Sequence, residues 1–295
     1  MTEQNMHRVG RVLDGLYRLS PRLAAKVAVR IFTSPKRVAC SPTEEEFINR
    51  AEPVDTDFDD ALAGYRWGAQ DAAPRVLLIH GWESNAGRWQ PLGDRLLRKG
   101  CRVFAFDAPA SGRSSGRTVP YNHYVAAALA FEGQHGPFDV YIGHSFGGGV
   151  VAQLASRVPV ERRPARMAVM ASFDETEHVF DRYQDMLKFS DRVRSVFDAL
   201  LLASLGPGGK VRDYSNTAAL EELSEVDGLV IHSRDDAISP YAEGQALHAA
   251  WPGAELLSFD NQGHALRGEP VLNALENFAL KNNSKKHYRI EGVEE

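Results

Sequence analysis

Several things are scarce in this 295-residue sequence. It holds two cysteines, Cys40 and Cys101, too few for a disulfide framework; Cys101 opens the apolar run "CRVFAF" and reads as a reduced core residue. No apolar stretch approaches the roughly 18–20 residues that span a bilayer. The first twenty residues have no continuous apolar core or small-residue cleavage site, so no signal peptide is expected and the reading is cytoplasmic. There is no HExxH motif, and the cysteines lie far apart, so neither a metal nor another cofactor is expected. The net charge of −5 argues against a general nucleic-acid binder, which would carry a basic balance.

What is present is an ordinary globular composition, 43% hydrophobic and 25% charged, with a mean hydropathy of −0.32. The length suits one large domain or two small ones. Charge is unevenly spread. Residues 1–40 carry eight Lys/Arg against Glu3 and Asp14, whereas residues 41–60 carry eight acids against Arg50. The simplest expectation is that these adjacent segments partly neutralise each other. The basic segment would then pack on the body of the protein, or on a second subunit, rather than lie on anionic lipid, although its arginine-rich amphipathic pattern would allow the latter.

Local patterning predicts an α/β fold. Val9, Val12, Leu13, Leu16 and Tyr17 recur at helical spacing. Ser20-Pro21 and the capping box Ser41-Pro42-Thr43-Glu44 start two further helices. From about residue 61 the pattern becomes apolar strand runs alternating with amphipathic helices, which implies a mostly parallel sheet covered on both faces. The rhythm stops for residues 172–227, a helical stretch ending near the breaker "GPGGK", and resumes at "GLVIHS". The expected division is an N-terminal helical extension (1–60), an α/β core (61–171 and 228–281), a helical insertion (172–227) and a polar tail (282–295). No internal repeat is visible.

The chemistry centres on "FDVYIGHSFGGGV". Gly143-His144-Ser145-Phe146-Gly147 matches G-x-S-x-G with a strand before it and a helix after it. Such a turn strains the central residue and aims its side chain outward. The flanking glycines avoid collisions, and the helix N-terminus offers amides to an oxyanion. A competing match exists: Gly147 to Ala152 fits the dinucleotide fingerprint G-x-G-x-x-A. That motif, however, belongs directly after the first strand, and here it falls in about the fourth unit.

A serine needs a base, and the base needs an orienting acid, in the order Ser, acid, His for this arrangement. "GLVIHSRDDAISP" places Asp236 in the loop after a strand, and "SFDNQGHAL" places His264 in the loop after the next strand. Ser145, Asp236 and His264 should therefore meet at the carboxyl edge of the sheet. Asp235 is the weaker candidate acid, suited to a turn. Each residue has a plainer alternative: His264 as a solvated loop histidine, Asp236 as the cap of the helix near Pro240. Two oxyanion donors are expected, the backbone amides of Phe146 and Trp82; the Trp82 and Trp89 side chains can serve packing alone. The remaining histidines outside His80 and His144 show no ligand spacing.

Together these residues resemble the α/β-hydrolase family, in particular its cofactor-free serine hydrolases with an HG-x oxyanion loop. The matching pieces are His80-Gly81-Trp82, Asp107-x-Pro109-x-x-Gly112-x-Ser114, the Ser145 motif, Asp236-x-Ile238-x-Pro240 and Gly263-His264. Ala110-Ser111 depart from the family's commoner Gly-His. The resemblance implies an eight-stranded sheet, a cap formed by residues 172–227, and hydrolysis of a carboxylic ester or thioester of a small or lipid-like acyl substrate. C–C bond hydrolysis, amidase or lactonase chemistry, and non-catalytic sensing of a small molecule use the same scaffold. Residues 1–60 lie outside the resemblance, and the oligomeric state is open.

Overall fold

The computed structural model describes residues 3–204 and 211–281. The predicted polar tail and the "GPGGK" breaker lie outside the described residues.

Three helices open the chain: α1 (Glu3–Leu19), α2 (Pro21–Phe32) and α3 (Pro42–Asn49). Ser20 caps α2 by accepting from the Leu23 amide, with Pro21 at its first position. At α3 the capping box forms as expected, the Ser41 hydroxyl taking the Glu44 amide while Glu44 takes the Ser41 amide.

The sheet has eight strands: β1 (Glu52–Val54), β2 (Gly64–Trp67), β3 (Arg75–Ile79), β4 (Arg102–Phe106), β5 (Val140–His144), β6 (Arg166–Met170), β7 (Asp227–Ser233) and β8 (Glu255–Phe259). Their spatial order is β1-β2-β4-β3-β5-β6-β7-β8. Only the pairings of β2 with β1 and with β4 are antiparallel. The sheet thus begins at Glu52, inside the stretch expected to be purely helical. A three-residue edge strand is too short to show alternation in sequence.

Helices α4 (Gln90–Arg98), α5 (Tyr121–His135), α6 (Phe146–Arg157), α10 (Tyr241–Ala250) and α11 (Glu269–Leu280) cross over the parallel strands. One face of the sheet packs against α5, α6 and α10 through residues such as Phe104, Phe131, Tyr141, Val151 and Trp251. The other packs against α3, α4 and α11 through Phe47, Leu78, Leu92, Ile142 and Leu275. Phe47 of α3 stacks on Trp67, centroids 4.4 Å apart, while the Trp67 indole N–H donates to the Phe47 carbonyl.

Between β6 and β7 the chain leaves the sheet for α7 (Thr176–Leu187), α8 (Asp191–Ser204) and α9 (Asn216–Glu221). A third apolar core forms here. Leu13 of α1 and Ala28 and Phe32 of α2 pack against Phe180, Tyr183, Leu187, Phe189 and Phe197. The Tyr183 hydroxyl donates to the Ala28 carbonyl. At Gly10 any side chain would collide with the Leu187 carbonyl, which fixes how closely α1 lies on α7.

The basic segment therefore packs on the body of the protein, but not beside the acidic run. Four of its acids pair elsewhere: Glu44 with Arg267, Glu45 with Arg113, Glu52 with Arg66, and Asp60 with His123. The expected mutual neutralisation of residues 1–40 and 41–60 is not how the charges pair. Sequence adjacency misled because α1 and α2 carry an apolar face that only the aromatic face of α7 and α8 covers.

Candidate active site

Ser145 follows β5 directly and serves as the residue before α6, with φ 54° and ψ −121°. Positive φ is costly for a residue with a Cβ, and here close packing enforces it. A Cβ at Gly143 would strike the Gly147 backbone, and one at Gly147 would strike the carbonyls of Ile79 and His80. The Ser145 amide donates to the Met170 carbonyl, and the Ser172 hydroxyl donates to the Ser145 carbonyl. The glycines of the alternative dinucleotide motif lie inside α6, buried against His80, Ser172 and Tyr121. They permit helix–sheet contact and leave no loop in which a pyrophosphate could sit.

The structure brings Ser145, His264 and Asp236 together. Ser145 Oγ lies 2.9 Å from His264 Nε2, and His264 Nδ1 lies 2.9 Å and 3.1 Å from Asp236 Oδ2 and Oδ1. The Asp236 side chain is fully buried, whereas that of His264 keeps 22% of its exposure. Burial alone would push the Asp236 carboxyl up. Hydrogen bonds from His264 and from the amides of Ser239 and Ile238 outweigh it, so the group titrates below its ordinary value. Asp236 thus accepts from the amides of its own turn and holds the imidazole; it does not cap the helix near Pro240, whose start has no side-chain cap. Asp235 takes the Ser233 hydroxyl and the Gly263 amide and does not reach the imidazole.

The expected oxyanion donors flank the serine. A Cβ on Gly81 would sit 2.9 Å from the Ser145 Cβ, so the Gly81–Trp82 peptide abuts the nucleophile. Among the described residues no protein acceptor engages the amides of Trp82 or Phe146. His80 accounts for the first. Its Nε2 accepts from the Ala108 amide at 2.9 Å, which leaves the proton on Nδ1, 2.8 Å from the Gly81 carbonyl. In a trans peptide the N–H points opposite to the C=O. Tying back the Gly81 oxygen therefore turns the Trp82 N–H away from His80. Burial holds the His80 imidazolium down, consistent with this neutral tautomer.

Three further contacts were invisible in the sequence. His144 Nε2–H donates to the His264 carbonyl at 2.7 Å, and Arg88 donates to the next carbonyl, Ala265, at 3.1 Å. Together they anchor the loop that carries the imidazole. His232, fully buried, lies 3.5 Å behind Asp236 and donates to the Ser239 carbonyl. Each histidine adjoins a recognisable motif, but the partner of His144 lies 120 residues away and that of His232 sits in a turn whose shape only folding defines. Asp107, at the end of β4, takes the Tyr65 hydroxyl and the amides of Ala86 and Arg113, ordering the two loops beside the oxyanion strand.

Next to Ser145, the Phe146 ring packs on Tyr121 at 5.0 Å and on Trp82 at 5.7 Å. Beyond Tyr121 opens a small cleft lined largely by apolar groups, including Phe32, Thr176, Phe180, Leu201 and Tyr214. Among the described residues, Asp174, His178 and Glu243 form one cluster of metal-ligating types. Their atoms are already committed: Asp174 accepts from His178 and the Glu175 amide, and Glu243 pairs with Arg182 and Ser239. The Arg182 guanidinium already supplies the positive charge a metal would bring, so the cluster reads as an ion-pair network. No described helix is long and apolar enough to cross a membrane.

Comparison with known proteins agrees with this arrangement. Residues 74–212 match the profile of the alpha/beta hydrolase fold. The chain is 27% identical over 270 residues to a bifunctional esterase/perhydrolase of Acinetobacter calcoaceticus, covering 75% of this chain and 93% of the relative. It is 24% identical to a pimeloyl-[acyl-carrier protein] methyl ester esterase of Vibrio vulnificus, covering 68% of this chain and 90% of that protein. Among solved structures, an esterase from Exiguobacterium antarcticum superposes with a TM-score of 0.59 at 17% identity, covering 77% of this chain and 98% of its own. Sheet order, serine turn and these likenesses together show that the chain has the α/β-hydrolase fold.

Proposed function

We propose that the protein is a serine hydrolase that cleaves a carboxylic ester, or thioester, of a small or lipid-like substrate. The observation that carries this reading is the unbroken line of hydrogen bonds from Ser145 through His264 to buried Asp236, beside two unengaged amides. The sequence relatives named as esterases support the same bond class.

In this reading His264 Nε2 takes the Ser145 proton as Oγ attacks the acyl carbon. Asp236 holds the imidazole in the Nδ1–H tautomer and balances the charge that forms. The amides of Trp82 and Phe146 receive the developing oxyanion; loss of one such donor costs about 10²–10³ in rate. The carbon–oxygen (or carbon–sulfur) bond then breaks as His264 returns the proton to the leaving alcohol or thiol. Water, deprotonated by His264, attacks the acyl-serine and releases the acid. The residues 172–227 act as a cap, and the apolar cleft beyond Tyr121 suits the substrate's apolar part.

Labelling with a fluorophosphonate probe tests the assignment. Wild-type protein should label and hydrolyse a p-nitrophenyl ester panel, and Ser145→Ala should do neither while retaining its circular dichroism. A folded wild-type protein that fails to label, or a Ser145→Ala protein that still labels, would overturn it.

A further inference from the structure

The two opening helices turn one face to α7 and α8 and the other to solvent, and the solvent face is unusual. On α1 the exposed Arg8, Arg11, Val12, Arg18 and Leu19 fall within about 120° at 100° per residue. On α2 the exposed Arg22, Leu23, Lys26 and Arg30 fall within about 100° by the same count. Among the described residues, none of these six cations makes an ion pair or a hydrogen bond through its side chain. Of the acids nearest in sequence, Glu44, Glu45, Glu52 and Asp60 are tied to Arg267, Arg113, Arg66 and His123 on the hydrolase body. Asp14 is held by Ser190. The positive charge of the hairpin is therefore left open.

The same surface concentrates apolar exposure. Of the eight large apolar side chains exposed among the described residues, three lie on these two arcs: Val12, Leu19 and Leu23, with Leu19 84% exposed. A single exposed leucine is ordinary on a soluble protein. Aliphatic side chains interleaved with unpaired arginines on a helical hairpin form the pattern of an interfacial helix, in which cations meet phosphates and aliphatics enter the headgroup boundary.

We infer that the outer face of α1 and α2 is a docking surface for an anionic lipid bilayer. The hairpin's inner face is locked to α7 and α8 by the Gly10–Leu187 approach and the Tyr183–Ala28 hydrogen bond. Docking therefore carries the insertion with it. α2 ends at Phe32 and Thr33, in the wall of the apolar cleft that Phe180, Leu201 and Tyr121 complete. A bilayer on this face lies next to that cleft. The docking itself is independent of the reaction assigned above.

Flotation of the full chain with phosphatidylcholine vesicles, and with vesicles containing 30% phosphatidylglycerol, tests it at low and high salt. Binding should require the anionic lipid and be lost at high salt. The triple variant Arg11→Glu, Arg18→Glu, Lys26→Glu should weaken binding by at least about 100-fold, taking about fivefold per basic side chain. Leu19→Ser with Leu23→Ser should weaken it several-fold. Circular dichroism of both variants matching wild type excludes unfolding as the cause. No flotation, equal flotation on neutral vesicles, or binding indifferent to charge reversal would overturn the inference. So would a dimer in lipid-free solution that Leu19→Ser with Leu23→Ser dissociates, since the face would then belong to a second copy.

Discussion

The serine edge of the sheet and the hairpin-plus-insertion layer are stabilised in different ways. At the serine edge, backbone and polar contacts leave almost no freedom. Ser145 sits at φ 54°, Gly147 is in contact with two carbonyls, and His80, His144, Asp107 and Asp236 are each tied to loop backbone. In the helical layer the contact is largely apolar: Phe32, Phe180 and Phe197 interlock edge to face, and the outward arginines and lysine of α1 and α2 have no ion-pair partner among the described residues. The first region fixes geometry for chemistry. The second presents a surface and needs only volume and apolarity within.

The contrast makes predictions that decrease in size. The largest concerns Asp236→Asn. The amides of Ile238 and Ser239 would claim the Asn oxygen, as they claim Oδ1 now, and turn its NH₂ toward His264 Nδ1. That forces the wrong tautomer, and kcat should fall by about 10⁴ with the fold retained. Ester turnover and circular dichroism check it; a loss below tenfold would mean Asp236 does not orient the imidazole.

One substitution should have opposite effects in the two regions. Gly147→Ala places a Cβ on backbone carbonyls that cannot retreat and should destabilise the protein by about 3 kcal/mol. Gly15→Ala, in α1 with nothing within 4 Å of the new Cβ, should stabilise it by about 0.5–1 kcal/mol. Urea unfolding of both variants decides. Equal costs would erase the distinction between the regions.

The smallest effect is pH-dependent. Burial lowers the affinity of His80, His135 and His144 for protons below their ordinary value of 6.5. The unfolded chain takes up those protons as pH drops through 6.5, and the folded chain does not. Stability should therefore decline as pH falls from 6.5 toward 5, by up to about 1.4 kcal/mol per pH unit for each histidine. His178, raised by its hydrogen bond to Asp174, acts oppositely: its contribution is present below 6.5 and fades as pH rises through its raised value. Its side chain is half exposed, so solvent screens the effect. His144→Gln should remove one histidine's share of the slope in urea unfolding between pH 5 and 7; an unchanged slope would show that His144 is not held neutral.

Much of the fold and the candidate site was legible because it is written locally. Strand–turn–helix grammar placed Ser145, Asp236 and His264 at the ends of β5, β7 and β8, which run parallel in one sheet. Their loops therefore emerge on one edge. The Ser20 cap, the Ser41 capping box and the helical period of α1 were equally local. The short edge strand β1 was not, because three residues carry no period.

By itself the sequence singled out the candidate residues Ser145, Asp236 and His264 and the apolar helix faces, since both follow from residue type and spacing along a few turns. Only the tertiary structure decided what meets those faces. It sent the hairpin to α7 and α8 and the acidic run to Arg113, Arg66 and Arg267. It also set His144 and Arg88 behind the His264 loop. The reason is that burial and electrostatics act through space. Apolar area is non-directional, so an amphipathic helix packs on whichever complementary surface the completed sheet leaves nearest.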